Sequence, residues 1–173
     1  MAVGNLEFIK KETSTSVVSV TYTDLFTTDY DVFELFIDLQ YNALSYLDIY
    51  LLDSGGSVLT GSHYDVAVQE MRAQSAFAEY RVTNSTIWRG LGGYMGNVNG
   101  GYGMKMTVFN PTSTSDYTFA LSQSNSPEST GMQGTKGIAV YKATDGVYGL
   151  KIQASGGGAT TFDFLNVAVF GVK

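Results

Sequence analysis

Large apolar residues alternate with mostly polar ones in the segment VFELFIDLQY at 32–41. Successive side chains of a β-strand point to opposite faces, so this period predicts a strand that buries one face and exposes the other. The buried face would hold Phe33, Leu35, Ile37, Leu39 and Tyr41. The same two-residue period recurs through most of the chain, whereas the helical period is convincing nowhere. The sequence therefore predicts an all-β protein.

The alternating segments predict ten strands, at 5–11, 16–23, 31–41, 45–53, 76–83, 103–109, 117–123, 137–142, 147–153 and 161–170. Their inward faces are expected to carry Val18, Val20 and Tyr22; Leu47, Ile49 and Leu51; Met104, Met106 and Val108; and Tyr117, Phe119 and Leu121. The segment 66–78 contains good helix formers and is predicted to be either a short helix or a loop followed by a strand.

The segments between these strands are rich in Gly, Asn, Asp and Ser, which is typical of turns. Short, evenly spaced strands without crossover helices predict an antiparallel two-sheet sandwich, with a jelly roll or a related Greek key as the leading topology. No Pro- or Ser-rich linker divides the chain. A single β-sandwich domain spanning 1–173 is therefore predicted.

The last strand is apolar on both faces, with phenylalanines on one side and Leu165, Val167 and Val169 on the other. Such a strand lies centrally in a fold or under a neighbouring subunit. Phenylalanine-rich terminal strands favour assembly with other chains. The residues predicted to lie at such an interface are Phe8, Phe36, Phe162, Phe164 and Phe170.

Composition narrows the classes of partner. The 173 residues carry a net charge of −6, and their few basic residues do not cluster, so nucleic acid is not expected to bind. No cysteine is present, which excludes disulfides, thiolate zinc sites and cysteine nucleophiles. No apolar run reaches the length of a membrane helix, and residues 1–11 lack the apolar core of a signal peptide. We therefore expect synthesis in a cytoplasm and no membrane partner.

Candidate catalytic and metal-binding groups lack supporting motifs. His63 is the single histidine and has no Gly-x-Ser-x-Gly elbow with it, so it is interpreted as a loop residue. Asp24, Asp29 and Asp31 could bind calcium or contribute to glycoside hydrolysis, but their spacing is not that of an EF-hand. Asp29 and Asp31 are interpreted as caps of a turn and of the start of the 31–41 strand. The sequence thus predicts a non-enzymatic protein with no catalytic residue, no metal and no cofactor.

The glycine-rich segment GLGGYMGNVNGGYG at 90–103 matches neither a phosphate-binding loop nor a dinucleotide fingerprint. Trp88 lies just before this segment, and Tyr94 and Tyr102 lie within it. Aromatic rings on the loops of a sandwich can hold sugar rings, so these residues form a candidate glycan-binding set. Packing in the core or at an interface is the alternative interpretation of the same residues.

The segment LFTTDYDVFELFIDL at 25–39 resembles one found near the start of small structural proteins of tailed bacteriophages, marine and cyanobacterial ones in particular. The ending Val169-Phe170-Gly171-Val172-Lys173 is similar to the Val-Tyr-Gly-Ile/Leu-Lys ending of that family, with Phe170 in place of Tyr. The pair Asn110-Pro111 and the glycine-rich stretch before the last strand are similar as well. Residues 55–103 have no matching segment.

The resemblance implies a β-sandwich that functions in the virion, commonly as a homotrimer, on the head surface or on tail parts. The leading hypothesis is a capsid decoration or cement protein whose partners are the major capsid protein or other virion proteins. The alternative is a tail-fibre or receptor-binding module that recognises a host-surface glycan through residues 88–103. A polysaccharide hydrolase is the weakest hypothesis, because no pair of carboxylates stands out in the sequence.

Overall fold

The computed structural model describes residues 5–73, 77–95, 101–128, 131–155 and 160–173. Their regular structure consists of twelve strands: β1 (Leu6–Val17), β2 (Ser19–Tyr22), β3 (Val32–Tyr41), β4 (Ser45–Leu52), β5 (Tyr64–Arg72), β6 (Ala78–Ser85), β7 (Trp88–Met95), β8 (Tyr102–Phe109), β9 (Thr118–Glu128), β10 (Gly131–Tyr141), β11 (Gly149–Ala154) and β12 (Phe162–Val172). Within these ranges no helix is long and apolar enough to cross a membrane.

The strands form two antiparallel sheets that pack against each other, as the sequence predicts. The large sheet has the order β1-β12-β3-β8-β9-β10-β5-β6, and the small sheet has the order β2-β11-β4-β7. With the hairpins β5–β6 and β9–β10 set aside, the chain changes sheets at every step from β1 to β12 except between β4 and β7, which are neighbours in the small sheet; this is the jelly-roll arrangement. The hairpins β5–β6 and β9–β10 are additions to this arrangement. They extend the large sheet beyond β8.

The core lies between the two sheets and follows the alternation of the strands. Phe33, Leu35, Ile37, Leu39 and Tyr41 of β3 are all buried, which confirms the predicted inward face of that strand. The inward faces predicted for β4 and β8 are buried as well. An ion pair also links two strands of the small sheet: the buried carboxylate of Asp48 in β4 accepts two hydrogen bonds of 2.8 Å from the partly exposed Arg89 guanidinium of β7. The bond to Asp48 raises the pKa of Arg89, so this link between β4 and β7 stays charged.

Two predicted elements differ from the structure. The segment 66–78 is not helical in its described part, because β5 occupies 64–72 and pairs with β10 and β6 on its two sides. Ala67, Gln69 and Glu70 favour helices in isolation, but this sheet pairing overrides the local preference. The first part of the glycine-rich segment is a strand rather than a loop, since β7 continues to Met95.

Candidate functional site

The outer face of the large sheet carries much of the exposed large apolar surface. We call six of the large apolar side chains on this face, each 43–59% exposed, the apolar band: Leu6, Phe8, Phe36, Phe119, Leu121 and Ile138. Strand register connects the two ends of this band. Starting from Leu6, the successive cross-strand partners are Val172, Val32, Phe109 and Phe119. Leu121 lies directly opposite Ile138. The band therefore crosses the sheet from β1 to β10.

Three phenylalanines form an edge-to-face row at the β1 end of this band. The ring centroids of Phe8 and Phe170 are 5.6 Å apart, and those of Phe170 and Phe36 are 5.8 Å apart. The ammonium of Lys105 lies 5.9 Å from the Phe36 centroid and 3.1 Å from a carboxylate oxygen of Glu34. These contacts hold the rings in a fixed arrangement while Phe8 and Phe36 stay open to solvent.

Strand β9 presents its apolar side chains to solvent, which corrects the predicted inward face. Tyr117, just before the strand, and Phe119 and Leu121 within it are 45%, 45% and 49% exposed, whereas Thr118, Ala120 and Ser122 point inward. The two-residue period was right and the assignment of the faces was wrong. This orientation of β9 adds Phe119 and Leu121 to the apolar band.

Buried hydroxyl groups explain the orientation of β9. Ser122 and Ser124 donate hydrogen bonds of 2.9 and 3.0 Å to the backbone carbonyls of Leu91 and Gly92 in β7, and Thr135 of β10 donates one of 3.3 Å to Leu91. The backbone of β7 lies close enough to the large sheet for these short side chains to reach it. Small hydroxyl residues fit in that space and large apolar ones do not.

We expect Gly137→Ala to test this close approach. A Cβ at Gly137 would lie 2.5 Å from Ser122 Oγ and 3.0 Å from a methyl carbon of Leu91, so β7 would have to move outward. The free energy of unfolding should fall by about 1–3 kcal/mol in urea denaturation, as in other overpacked cores. Gly134→Ala on the same strand is the matched control, because its nearest neighbours would be 3.5 Å away. Equal stability of the two variants would contradict the close approach.

The predicted glycan-binding set is corrected for two of its three members. Trp88 is 0% exposed, and its indole nitrogen donates a 3.2 Å hydrogen bond to the Val140 carbonyl. Tyr102 is also buried, and this burial raises the pKa of its phenol. Both side chains point between the sheets because of their positions in β7 and β8, so neither offers a ring face to a sugar. The side chain of Tyr94 lies outside the described part of the protein.

The predicted interface phenylalanines divide into two groups. Phe8 and Phe36 are exposed on the outer face, and Phe164 and Phe170 are partly buried. Phe162 is buried in the core and stacks on Tyr41 with the ring centroids 5.1 Å apart, so its prediction as an interface residue is corrected. A register shift between Phe162 and Phe164 turns Phe162 to the inner face.

Beside the apolar band the same face has a shallow depression of about 680 Å³ lined by both polar and apolar groups. Cross-strand pairing places Asn166, Asp38, Gly103 and Asn125 in one row across β12, β3, β8 and β9. Asn166 donates a 3.4 Å hydrogen bond to Asp38. We call these four residues together with Phe36 and Lys105 the polar depression; all six line it. Sequence reasoning missed this depression, because Asp38 lies on the face of its strand that was predicted to be exposed and Asn125 lies outside the predicted strands.

The other candidate groups from the sequence lie apart from this face. His63 is exposed, and its ring contacts the edge of Tyr141 with 6.0 Å between centroids. Asp29 accepts a 3.1 Å hydrogen bond from Thr27, as a turn residue does. In the described ranges no group of three or more His, Cys, Asp and Glu side chains is placed to hold a metal ion.

Comparison with known proteins gives no family for this chain. No family model matches, and no curated protein matches. A solved structure of the Clostridium perfringens CspB protease aligns with 89% of this chain and 26% of its own chain, at 11% sequence identity and a TM-score of 0.18. The chain thus spans about a quarter of that protease's length, and a likeness this weak carries no argument about fold or function.

Proposed function

We propose that this protein is a non-enzymatic structural protein of a bacteriophage virion, and that it binds the capsid shell as a decoration or cement protein through the outer face of its large sheet. The observation that carries the proposal is the apolar band. Contiguous exposed apolar surface on a soluble domain marks an interaction site, because leaving it in water is unfavourable. The inverted β9 strand places Phe119 and Leu121 on this surface.

The dimensions of the face suit a stable protein interface. Eight strands at a spacing of about 4.8 Å, each roughly 33 Å long for ten residues, give a face on the order of 1,000 Å². A specific protein–protein interface buries about 800 Å² on each partner. The large sheet therefore offers enough surface to hold the protein on a shell without a contribution from its loops.

The virion as the location is supported by the resemblance of 25–39 and 169–173 to phage structural proteins. A decoration protein on the phage head is present in many more copies per particle than a protein at the tail. Antibody labelling of intact virions, with a count of copies per particle, separates the two locations. We expect labelling over the whole head; labelling confined to the tail tip would instead support the receptor-binding alternative.

Sedimentation equilibrium of the purified protein tests the proposed homotrimer.

Ile138→Asp is expected to reduce binding to particles that lack the protein by more than tenfold. The carboxylate would be placed in the middle of an apolar contact and would lose water without gaining a partner. Because Ile138 is 58% exposed in the free protein, the thermal midpoint should hardly change. Cosedimentation of the variant with stripped particles measures the effect.

Leu44→Asp is the matched control for this experiment. Leu44 is 44% exposed but lies in the turn between β3 and β4, away from the outer face. Its variant should bind particles like the unmodified protein. Equal binding by Ile138→Asp and Leu44→Asp would overturn the assignment of the outer face as the docking surface.

A further inference from the structure

Gly103 is the second residue of β8, and glycine weakens a strand. Its pairing is regular on both sides, with Asp38 on β3 and Asn125 on β9, and it is not among the residues with positive φ. A Cβ there would meet only the side-chain oxygen of Asn125, at 3.1 Å, and that side chain can rotate away. Neither the backbone conformation nor the packing explains the glycine. What it does provide is open space at the centre of the polar depression.

A second glycine flanks Asn125 on its other side. Gly134 of β10 is the cross-strand partner of Asn125 on the side opposite Gly103. A Cβ at Gly134 would have its nearest neighbours at 3.5 Å, which is ordinary contact, so packing does not demand glycine here either. Asn125 therefore stands between two positions without side chains, with its amide exposed on the face. Glycines in strand interiors often mark a place where a ligand approaches the backbone.

The groups around the open space are suited to hydroxyl groups. Asp38 offers carboxylate oxygens, and Asn125 and Asn166 each offer an amide that both donates and accepts hydrogen bonds. Among the described residues, Asn125 forms no side-chain hydrogen bond. Its donor and acceptor are therefore available to a ligand that carries neighbouring donor and acceptor groups.

Phe36 adds an apolar surface to this polar set. Its ring is 43% exposed and lines the depression. The charges nearby nearly cancel: Lys105 is paired with Glu34, and the depression is lined by one further cation, Lys11, and one further anion, Asp38. A neutral ligand with hydroxyl groups on its edges and C–H groups on its face fits such a site better than an anion or a cation does.

We propose that the polar depression is a binding site for a neutral saccharide. Asp38, Asn125 and Asn166 hydrogen-bond the sugar hydroxyls, Phe36 packs against the C–H face of a ring, and Gly103 leaves room for the sugar to reach the sheet. The site is distinct from the aromatic set predicted in the sequence around residues 88–102, because Trp88 and Tyr102 are buried and the depression opens on the outer face. It does not depend on the proposed docking of the apolar band to a particle.

The test is titration of the purified protein, by isotope-edited NMR, with four neutral hexasaccharides: cellohexaose, maltohexaose, mannohexaose and chitohexaose. We expect at least one to bind and to shift the backbone amide resonances of Gly103 and Asn125. Asn125→Ala should weaken that binding at least tenfold, and Gly103→Val, which fills the open space, should abolish it. Gln69→Ala is the matched control, since Gln69 is an exposed amide residue on the outer face of β5 outside the depression.

Two outcomes overturn the proposal: no binding by any of the four saccharides, or binding that Asn125→Ala and Gly103→Val leave unchanged. Asn125 is exposed, so its variant is expected to keep the thermal midpoint of the unmodified protein, and the test does not rest on Gly103→Val alone. Ile138→Asp should bind the saccharide normally. Failure of the docking proposal and failure of this one are therefore distinguishable.

Discussion

Replacement of Trp88 by alanine is expected to lower the free energy of unfolding by about 3–5 kcal/mol, which is the range for removing a large aromatic side chain from a core. Trp88 has no exposed surface, and its ring contacts the edge of Tyr64 with centroids 6.1 Å apart. The variant would also leave the Val140 carbonyl without the indole N–H that bonds to it. Urea denaturation followed by circular dichroism measures the loss.

Tyr117→Ala is the control for this prediction. Tyr117 is also a large aromatic residue, but it is 45% exposed, so its replacement should change stability by no more than about 0.5 kcal/mol. If Trp88→Ala were as stable as Tyr117→Ala, the indole would not be in the core. The prediction that Trp88 contacts a ligand would then regain support.

The sequence shows which residues of a strand share a face more reliably than it shows which of the two faces is buried. In β3 the large apolar set alternates with Glu34, Asp38 and Gln40, so the buried face is evident. In β9 the apolar residues Phe119 and Leu121 alternate with the small residues Thr118, Ala120 and Ser122, and burial of the larger apolar set was the natural expectation. The deciding fact is the position of the β7 backbone, which is distant in sequence and supplies carbonyls to Ser122 and Ser124.

The glycine-rich segment was misassigned for a related reason. Glycine at 90, 92 and 93 is typical of a loop, yet these residues lie in β7. Gly90 and Gly93 have φ of 78° and 84°, a conformation that glycine adopts without strain. The missing side chains let the β7 backbone approach the large sheet. Composition alone does not distinguish this use of glycine from a flexible loop.

The polar depression was beyond sequence analysis because its residues come from four strands. Asp38, Gly103, Asn125 and Asn166 are far apart along the chain, and only the strand order β12-β3-β8-β9 places them in one row. Each was unremarkable in its own segment. A glycine with regular strand pairing on both sides, as at Gly103, is the feature that draws attention to such a site once the register is known.

The two added hairpins connect the fold to the proposed functions. Without β5–β6 and β9–β10, the large sheet would end at β8 and the face would lose Phe119, Leu121 and Ile138. The depression would lose Asn125 in the same way. Strand β9 contributes less to the core than β3 or β4 does, since its inward side chains are small, whereas β5 and β10 bury Tyr64 and Tyr141. The hairpins also widen the outer face, and both the proposed docking surface and the proposed saccharide site depend on that width.

Gly149→Ala should destabilise the small sheet by about 3 kcal/mol, at the upper end for overpacked positions. A Cβ at Gly149 would overlap the backbone oxygen of Tyr22 and lie 3.3 Å from the Cα of Thr23. Backbone atoms cannot rotate away as a side chain does, so β2 and β11 would have to separate where Leu150 pairs with Tyr22.

The carbonyl of Tyr148, next to Gly149, accepts hydrogen bonds of 2.8 and 3.0 Å from the amides of Leu25 and Phe26. A displaced β11 would strain these bonds as well, so the loss should appear both in urea denaturation and as faster amide hydrogen exchange at these two residues. Gly134→Ala again serves as the control, because its Cβ meets only ordinary contacts and its strand belongs to the large sheet. If amide hydrogen exchange at Leu25 and Phe26 were unchanged in the Gly149→Ala variant, β11 and β2 would have to lie farther apart than they do in the structure.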